Sequence, residues 1–310
     1  MYQKSELTVQ SKCDTLPLSV LMLLPDQTDV CKGVVQLVHG MSEHKERYLP
    51  LMEYLAQHGY ASVIHDHRGH GQSVRSEQDL GYMYEVGMDG LISDVLLINE
   101  GAHEKFPDLP VFMFGHSMGS LAARVFLREH DNCIDKLILS GPPSRNKLVD
   151  GGILLAKLQK KIKGGHSQGK LLEKISVGAY GKANAKAFPN ELTISSWICS
   201  DPEVVKVYED SRLCGFTFTA DGFLTLFQLL KYTYKEKGWK CTNPNLPILY
   251  LGGSDDACIG GADKFQDEMM VLKHAGYNYV DGKMYPGMRH EICNETGKEE
   301  VFTDIVKFLE

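Results

Sequence analysis

No two of the eight cysteines in this 310-residue chain are spaced C-x-x-C; they stand at Cys13, Cys31, Cys133, Cys199, Cys214, Cys241, Cys258 and Cys293. The usual zinc and dithiol readings therefore have no support. No apolar run near the start approaches the ~20 residues that span a bilayer. The longest, Leu16 to Leu24, is broken by Pro17 and Ser19, and the opening Met1-Tyr2-Gln3-Lys4-Ser5-Glu6 lacks the apolar stretch of a secretory signal. A cytoplasmic protein with free thiols is the expectation. Basic charge is also scarce. The 33 Lys and Arg face 40 Asp and Glu, a net charge of −7. That is the opposite of the surplus a phosphate backbone requires, so nucleic acid is excluded as a partner. There is no internal repeat. Hydrophobic and charged shares of 43% and 24% exclude disorder, fibres and coiled coils.

What the chain does have is an alternation of strand and helix signals. Leu7–Lys12 and Leu18–Leu24 read as two opening strands, forming a hairpin around Cys13 to Pro17. Gly33–Val38, Ala61–Ile64, Val111–Phe114, Lys136–Leu139, Ile248–Leu251 and Tyr279–Tyr285 read as further strands, several of them apolar throughout. Continuous apolar runs suit strands buried on both faces of a parallel sheet. Between them, apolar residues recur at helical spacing, as in Leu51, Met52 and Leu55, or Leu91, Ile92, Val95 and Ile98. Such a succession predicts a mostly parallel central sheet with helices on both faces. The rhythm breaks over 145–243, which has helical patches and glycine-rich turns but no buried strand. This segment is expected to be a cap inserted between two halves of a core, 1–144 and 244–310.

The strongest local signal is Gly115-His116-Ser117-Met118-Gly119, a G-x-S-x-G with a buried strand running in and a helix running out. That is the setting of a nucleophile elbow, in which a tight turn lifts the serine oxygen above the sheet. A serine hydroxyl needs a base, and the base an orienting carboxylate. In this architecture the chain order is Ser, then Asp or Glu, then His. Downstream, Asp255 and Asp256 follow one strand and His290 follows the last. Both places are carboxyl ends of strands, where open α/β sheets build their sites. The residues alone leave Asp255 and Asp256 both open. The backbone N–H of Met118, next to the serine, is one candidate oxyanion donor. The N–H of Met41, in the loop after an early strand, is the second. This chemistry calls for neither cofactor nor metal. His65-Asp66-His67-Arg68-Gly69-His70 has metal-ligand residue types, but sits in one loop with no distant partner set. A structural loop held by side-chain hydrogen bonds is expected there.

Together these segments resemble the α/β-hydrolase superfamily, in its monoacylglycerol lipase and lysophospholipase-like branch, grouped by sequence with serine aminopeptidases. His39-Gly40-Met41-Ser42-Glu43-His44, followed by Arg47-Tyr48, is similar to that branch's HGxxEHxxRY oxyanion loop. Asp66-His67-Arg68-Gly69-His70-Gly71-Gln72-Ser73 is similar to its D-x-R-G-H-G-x-S loop, and GHSMG and Tyr285–His290 to its nucleophile and histidine segments. The resemblance places the acid on Asp256. It implies the α/β-hydrolase fold and a serine hydrolase acting on carboxylic esters of single-acyl lipids through Ser117, His290 and Asp256. It is weak over 145–243, the part that sets substrate.

Two other functions stay open on the sequence. An aminopeptidase-like amidase would need converging cap carboxylates, for which Glu191, Asp201, Glu203, Glu209, Asp210 and Asp221 are available. A non-catalytic binding protein on the same fold would be expected to lack a triad member. The cap's Leu154, Leu158 and Ile162 share one helical face, with Lys157, Lys160, Lys161 and Lys163 interspersed along the same segment. That face either packs inward or meets a lipid surface transiently. Oligomeric state is not legible.

Overall fold

The protein is described by a computed structural model, which covers residues 2–26, 31–190 and 193–310. Eight strands form one sheet: β1 Tyr2–Gln10, β2 Pro17–Pro25, β3 Gly33–Val38, β4 Tyr60–His65, β5 Val111–His116, β6 Lys136–Ser140, β7 Ile248–Gly253 and β8 Val280–Tyr285. Their spatial order is β1-β2-β4-β3-β5-β6-β7-β8. Every pair from β4 onward is parallel, while β1 and β2 join antiparallel as the expected hairpin. The first strand begins at Tyr2, five residues before the apolar signal at Leu7. It is an edge strand exposed along nearly its whole length, so pairing with β2, not burial, defines it.

Side chains of the central strands alternate between the two faces, as the period of two demands. Phe112 and Phe114 of β5 face one cluster and Met113 the other. On the first face, helix α1 (Leu49–Gln57) brings Leu51, Met52 and Leu55, and α10 (Lys298–Leu309) brings Phe302, Ile305 and Val306. On the second lie α2 (Gly87–Lys105), α3 (Met118–His130) and α9 (Ala262–Ala275), with Leu91, Leu121, Phe126 and Met269 buried. Each fully buried large apolar side chain contributes about 1.5–3 kcal/mol, so both faces are strongly held. One ion pair lies within the second layer. Arg124 Nη1 donates to Glu268 Oε2 at 2.5 Å, both fully buried.

Between β6 and β7, the described residues form the α-helices α4 (Val149–Lys163), α5 (Lys170–Ile175), α6 (Gly178–Ala187), α7 (Pro202–Asp210) and α8 (Ala220–Thr233), with a 3-10 turn at Ile194–Trp197. Two of them start on side-chain caps. Asp201 accepts from the Glu203 N–H with Pro202 at the first position, and Thr219 accepts from the Gly222 N–H. α8 packs on the second layer through Phe223, Phe227 and Leu230. The face of α4 with two readings in the sequence points outward. Leu154 and Ile162 are 70% and 69% exposed, and Leu158 is 51% exposed. The inward alternative is thereby corrected: α4 buries only Ala156 and leans on α8 through Ile153 and Leu155. Among the described residues no helix is long and apolar enough to cross a membrane.

Candidate active site

β5 ends at His116, and Ser117 follows with φ 52° and ψ −118° before α3 begins at Met118. A side-chain residue held at positive φ is strained, and the surroundings must impose it. They do so through the flanking glycines. A Cβ on Gly119 would overlap the carbonyl oxygen of Val38, and one on Gly115 would lie 2.6 Å from the Gly119 oxygen. Only glycine at both places lets strand, turn and helix close. The Ser117 N–H donates to the Ser140 carbonyl of β6 at 2.9 Å, which fixes the turn on the sheet edge.

The two downstream segments meet this serine. His290 Nε2 is 2.8 Å from Ser117 Oγ. His290 Nδ1 is 2.8 Å from Asp256 Oδ2. The other carboxylate oxygen of Asp256 accepts the Cys258 N–H at 2.7 Å, so both of its oxygens are committed. Asp255 is half-buried, and its carboxylate takes the Ser254 hydroxyl instead. Burial disfavours a charged His290. The Asp256 carboxylate bonded to it outweighs that, and the imidazole pKa is raised above its ordinary 6.5.

The serine lies at the floor of a cavity of about 660 Å³. Its walls include Gly40, Met41 and Met118, with the Trp197 ring tilted at 37° and its centroid 4.8 Å from that of His290. The Met118 N–H heads α3 and so has no partner within the helix. Among the described residues, the Met41 N–H has no backbone acceptor.

Several residues around the loop 39–43 were given no role by the sequence. Glu43, buried, accepts the Gly40 N–H at 2.5 Å and the Tyr48 hydroxyl at 2.9 Å. Arg47 bridges Glu43 and Glu291, the residue after His290. Burial and the Glu291 carboxylate push the Glu43 pKa upward. Glu43 and Arg47 stand inside the quoted loop motif, yet nothing in their spacing shows that both are buried or that Glu291 completes the group.

The loop after β4 is held as expected. Asp66 accepts from the backbone and ammonium of Lys45 and from the Gln72 N–H, each within 2.9 Å. Arg68 donates to Asp94 at 2.8 Å. His67 donates its backbone N–H to His39 Nε2 at 2.9 Å. Among the described residues, the one set of His, Cys and acidic groups close enough to share an ion is Asp256, Cys258 and His290, and the Asp256–His290 hydrogen bond already occupies it.

With this geometry in view, comparison with known proteins gives a consistent answer. Residues 29–297 match the family described as serine aminopeptidase, S33. The chain is 24% identical over 278 residues to a monoacylglycerol lipase of Mycolicibacterium smegmatis, covering 90% of this chain and 88% of that one. It is 27% identical over 276 residues to Phospholipase YtpA of Bacillus subtilis, covering 87% and 92%. A solved structure of a thermostable carboxyl esterase from Bacillus coagulans, in complex with glycerol, superposes with a TM-score of 0.89 at 27% identity, covering 99% of this chain and 97% of that one. The chain belongs to the serine aminopeptidase, S33 family and has the α/β-hydrolase fold. Within it, the chain falls in the monoglyceride lipase-like branch, among carboxylic ester hydrolases.

The buried histidines generate a stability prediction. Burial lowers the pKa of His65 to about 3 and of His70 to about 4. The unfolded chain takes up protons near 6.5 and the folded one does not, so each such group costs stability as pH falls below 6.5. The slope approaches about 1.4 kcal/mol per pH unit per histidine. His44, held above its ordinary value, acts in the opposite sense but is common to both proteins compared. Urea titrations at pH 7.5, 6 and 5 should show a shallower acid loss for His65→Leu than for wild type. An equal or steeper loss would contradict the assignment.

Proposed function

We propose that this enzyme hydrolyses carboxylic esters of single-acyl lipids, of the monoacylglycerol or lysophospholipid type, through an acyl-enzyme on Ser117. The observation that carries the reading is the unbroken Asp256–His290–Ser117 hydrogen-bond line opening onto the cavity floor. His290 Nε2 takes the Ser117 proton as Oγ attacks the ester carbonyl. Asp256 keeps Nδ1–H oriented and stabilises the imidazolium. The Met41 and Met118 N–H groups receive the oxyanion, each worth about 3–4 kcal/mol in the transition state. His290 then gives its proton to the departing alcohol. A water, deprotonated by the same imidazole, releases the fatty acid and restores the serine.

The substrate reading rests on the cavity. Its size lies within the roughly 300–1,000 Å³ of single-ligand sites. Leu121, Ile175, Ile194, Leu226, Phe227 and Leu230 offer an apolar wall for one chain. We assign 145–243 as the cap that supplies most of it, between core halves 1–144 and 244–310. The amidase alternative finds less support. Asp201, Glu203, Glu209, Asp210 and Asp221 do not line the cavity, and Glu191 lies outside the described residues. Glu43, Glu173 and Glu291 do line it, but Glu43 and Glu291 are engaged by Arg47 and Glu173 accepts the Thr217 hydroxyl at 2.7 Å.

A lipid surface is the partner that suits the outside of this cap. Leu148, Leu154, Leu158, Ile162 and Leu171 are all more than half exposed. Residues 147–186 carry nine lysines against two acidic side chains, in a chain of net charge −7. Apolar side chains rimmed by lysines fit the interface of an anionic bilayer.

Ser117→Ala should lower kcat by roughly 10⁴ to 10⁶, and Asp256→Asn should cost far more than Asp255→Asn. Activity needs the neutral imidazole, so kcat/KM should fall in acid through an apparent pKa above 6.5. Turnover should favour p-nitrophenyl esters and monoacylglycerols over an aminoacyl-anilide. A fully active Ser117→Ala enzyme, or greater damage from Asp255→Asn, would overturn the assignment.

Leu154→Asp combined with Leu158→Asp should abolish sedimentation with anionic vesicles. It should leave the melting temperature and hydrolysis of a soluble short-chain ester unchanged, because both leucines are exposed. Undiminished vesicle binding would refute the lipid-facing cap.

A further inference from the structure

The loop Gly40-Met41-Ser42 is tied at the backbone N–H and carbonyl of both Gly40 and Ser42 and at the Ser42 hydroxyl, while among the described residues the Met41 N–H has no backbone acceptor. The Gly40 N–H goes to Glu43 Oε1 at 2.5 Å, and the Gly40 oxygen to His39 Nδ1 at 2.8 Å. The Ser42 N–H goes to His70 Nε2 at 3.2 Å. The Ser42 oxygen accepts the Gly215 N–H at 2.9 Å, and Ser42 Oγ donates to the Phe216 oxygen at 2.7 Å. Gly215 and Phe216 belong to the cap, between α7 and α8. Ser42 itself sits at φ 54°, a conformation an ordinary residue keeps only when its surroundings hold it there. A loop bonded at so many groups has little freedom, and Met41, whose N–H is left over, lines the cavity.

Glu43 is the fixed end of this brace. One of its oxygens holds the Gly40 N–H and the Tyr48 hydroxyl. The other faces Arg47 Nε at 3.3 Å. Arg47 in turn bonds Glu291, and its guanidinium lies 5.1 Å over the Tyr208 ring of α7. The Glu291 N–H donates to the cap's Ile198 oxygen at 2.7 Å. One cation thus joins the oxyanion loop, the segment carrying His290, and the cap.

We propose that Glu43 and Ser42 are positioning residues for the oxyanion hole: Glu43 anchors the loop to the Arg47–Glu291 pair, and Ser42 anchors it to the cap. The proposal rests on the acyl-enzyme reading above. Its consequence is that the oxyanion donor is in place only while cap segment 215–216 is seated. Displacing the cap slackens the loop and lowers transition-state binding, while leaving the acyl wall on α8 intact.

The interaction is used in the transition state and not in the bound substrate, so loss should appear in kcat rather than KM. Glu43→Ala should reduce kcat on a soluble short-chain ester by about 10²-fold, with KM changed by no more than a few-fold. Affinity for a trifluoromethyl ketone, which forms the oxyanion, should fall in parallel. Glu43→Gln, which keeps an oxygen for the Gly40 N–H, should recover most of both. Ser42→Ala should give a smaller loss of the same kind. Its melting temperature, taken alongside, separates a slack loop from an unfolded protein. The proposal fails if Glu43→Ala keeps wild-type kcat, if Glu43→Gln is as damaged as Glu43→Ala, or if the loss lies in KM. Ser117→Ala in the same assay separates the two ideas. If it too remains active, the acyl-enzyme reading is what has failed.

Discussion

The hydrogen bond between His290 Nε2 and Ser117 Oγ, 2.8 Å long, joins residues 173 positions apart, and it depends on how the sheet brings the ends of its strands together. Ser117 depends on a strained turn that only Gly115 and Gly119 allow. His290 and Asp256 arrive from segments that follow β8 and β7, which pair in parallel from Ile248 to Gly253. A one-residue slip in that register would turn the strand's side chains over and carry both loops out of reach. The buried layers of helices on each face make such a slip costly. Sheet stability and site geometry are therefore one constraint seen at two scales.

Around this line the protein buries many ionisable groups and resolves each differently. His65, His67, His70, His39 and His116 are kept neutral by desolvation. His70 consequently retains a free ring nitrogen to accept the Ser42 N–H. Glu43 and Glu291 are kept in place by the one guanidinium of Arg47. The cost of burying such groups is repaid only where geometry is tight, and the tight geometry here surrounds the loop 39–43. That concentration fits a site in which fixed donors, rather than mobile ones, do the electrostatic work.

The sheet and its helices were legible because β3, β5, β6 and β7 are short runs whose interiors are apolar apart from Gln36, with polar residues otherwise at their ends, as at His116, Lys136 and Ser140. Ser117 and His290 were legible because strand-end position adds to residue type. The edge strand was read short because Tyr2 to Glu6 make no apolar pattern. The choice between Asp255 and Asp256 needed the resemblance, since adjacent residues share a strand end and differ only in which way the turn aims them. Glu43, Arg47 and Glu291 could not be assembled from sequence. Their grouping comes from the packing of three separate segments, and an exposed Glu or Arg looks the same in letters. The outward face of α4 was ambiguous for a related reason, because an apolar stripe beside lysines suits either a core or a bilayer.

Covalent trapping tests the central claim most directly. The enzyme is incubated with a fluorophosphonate, digested, and the adduct located by peptide mass spectrometry. The account predicts a single adduct on Ser117, formed in wild type and lost when His290→Ala removes the base that activates the hydroxyl. An adduct on another residue, or labelling of Ser117 at the wild-type rate without His290, would contradict it.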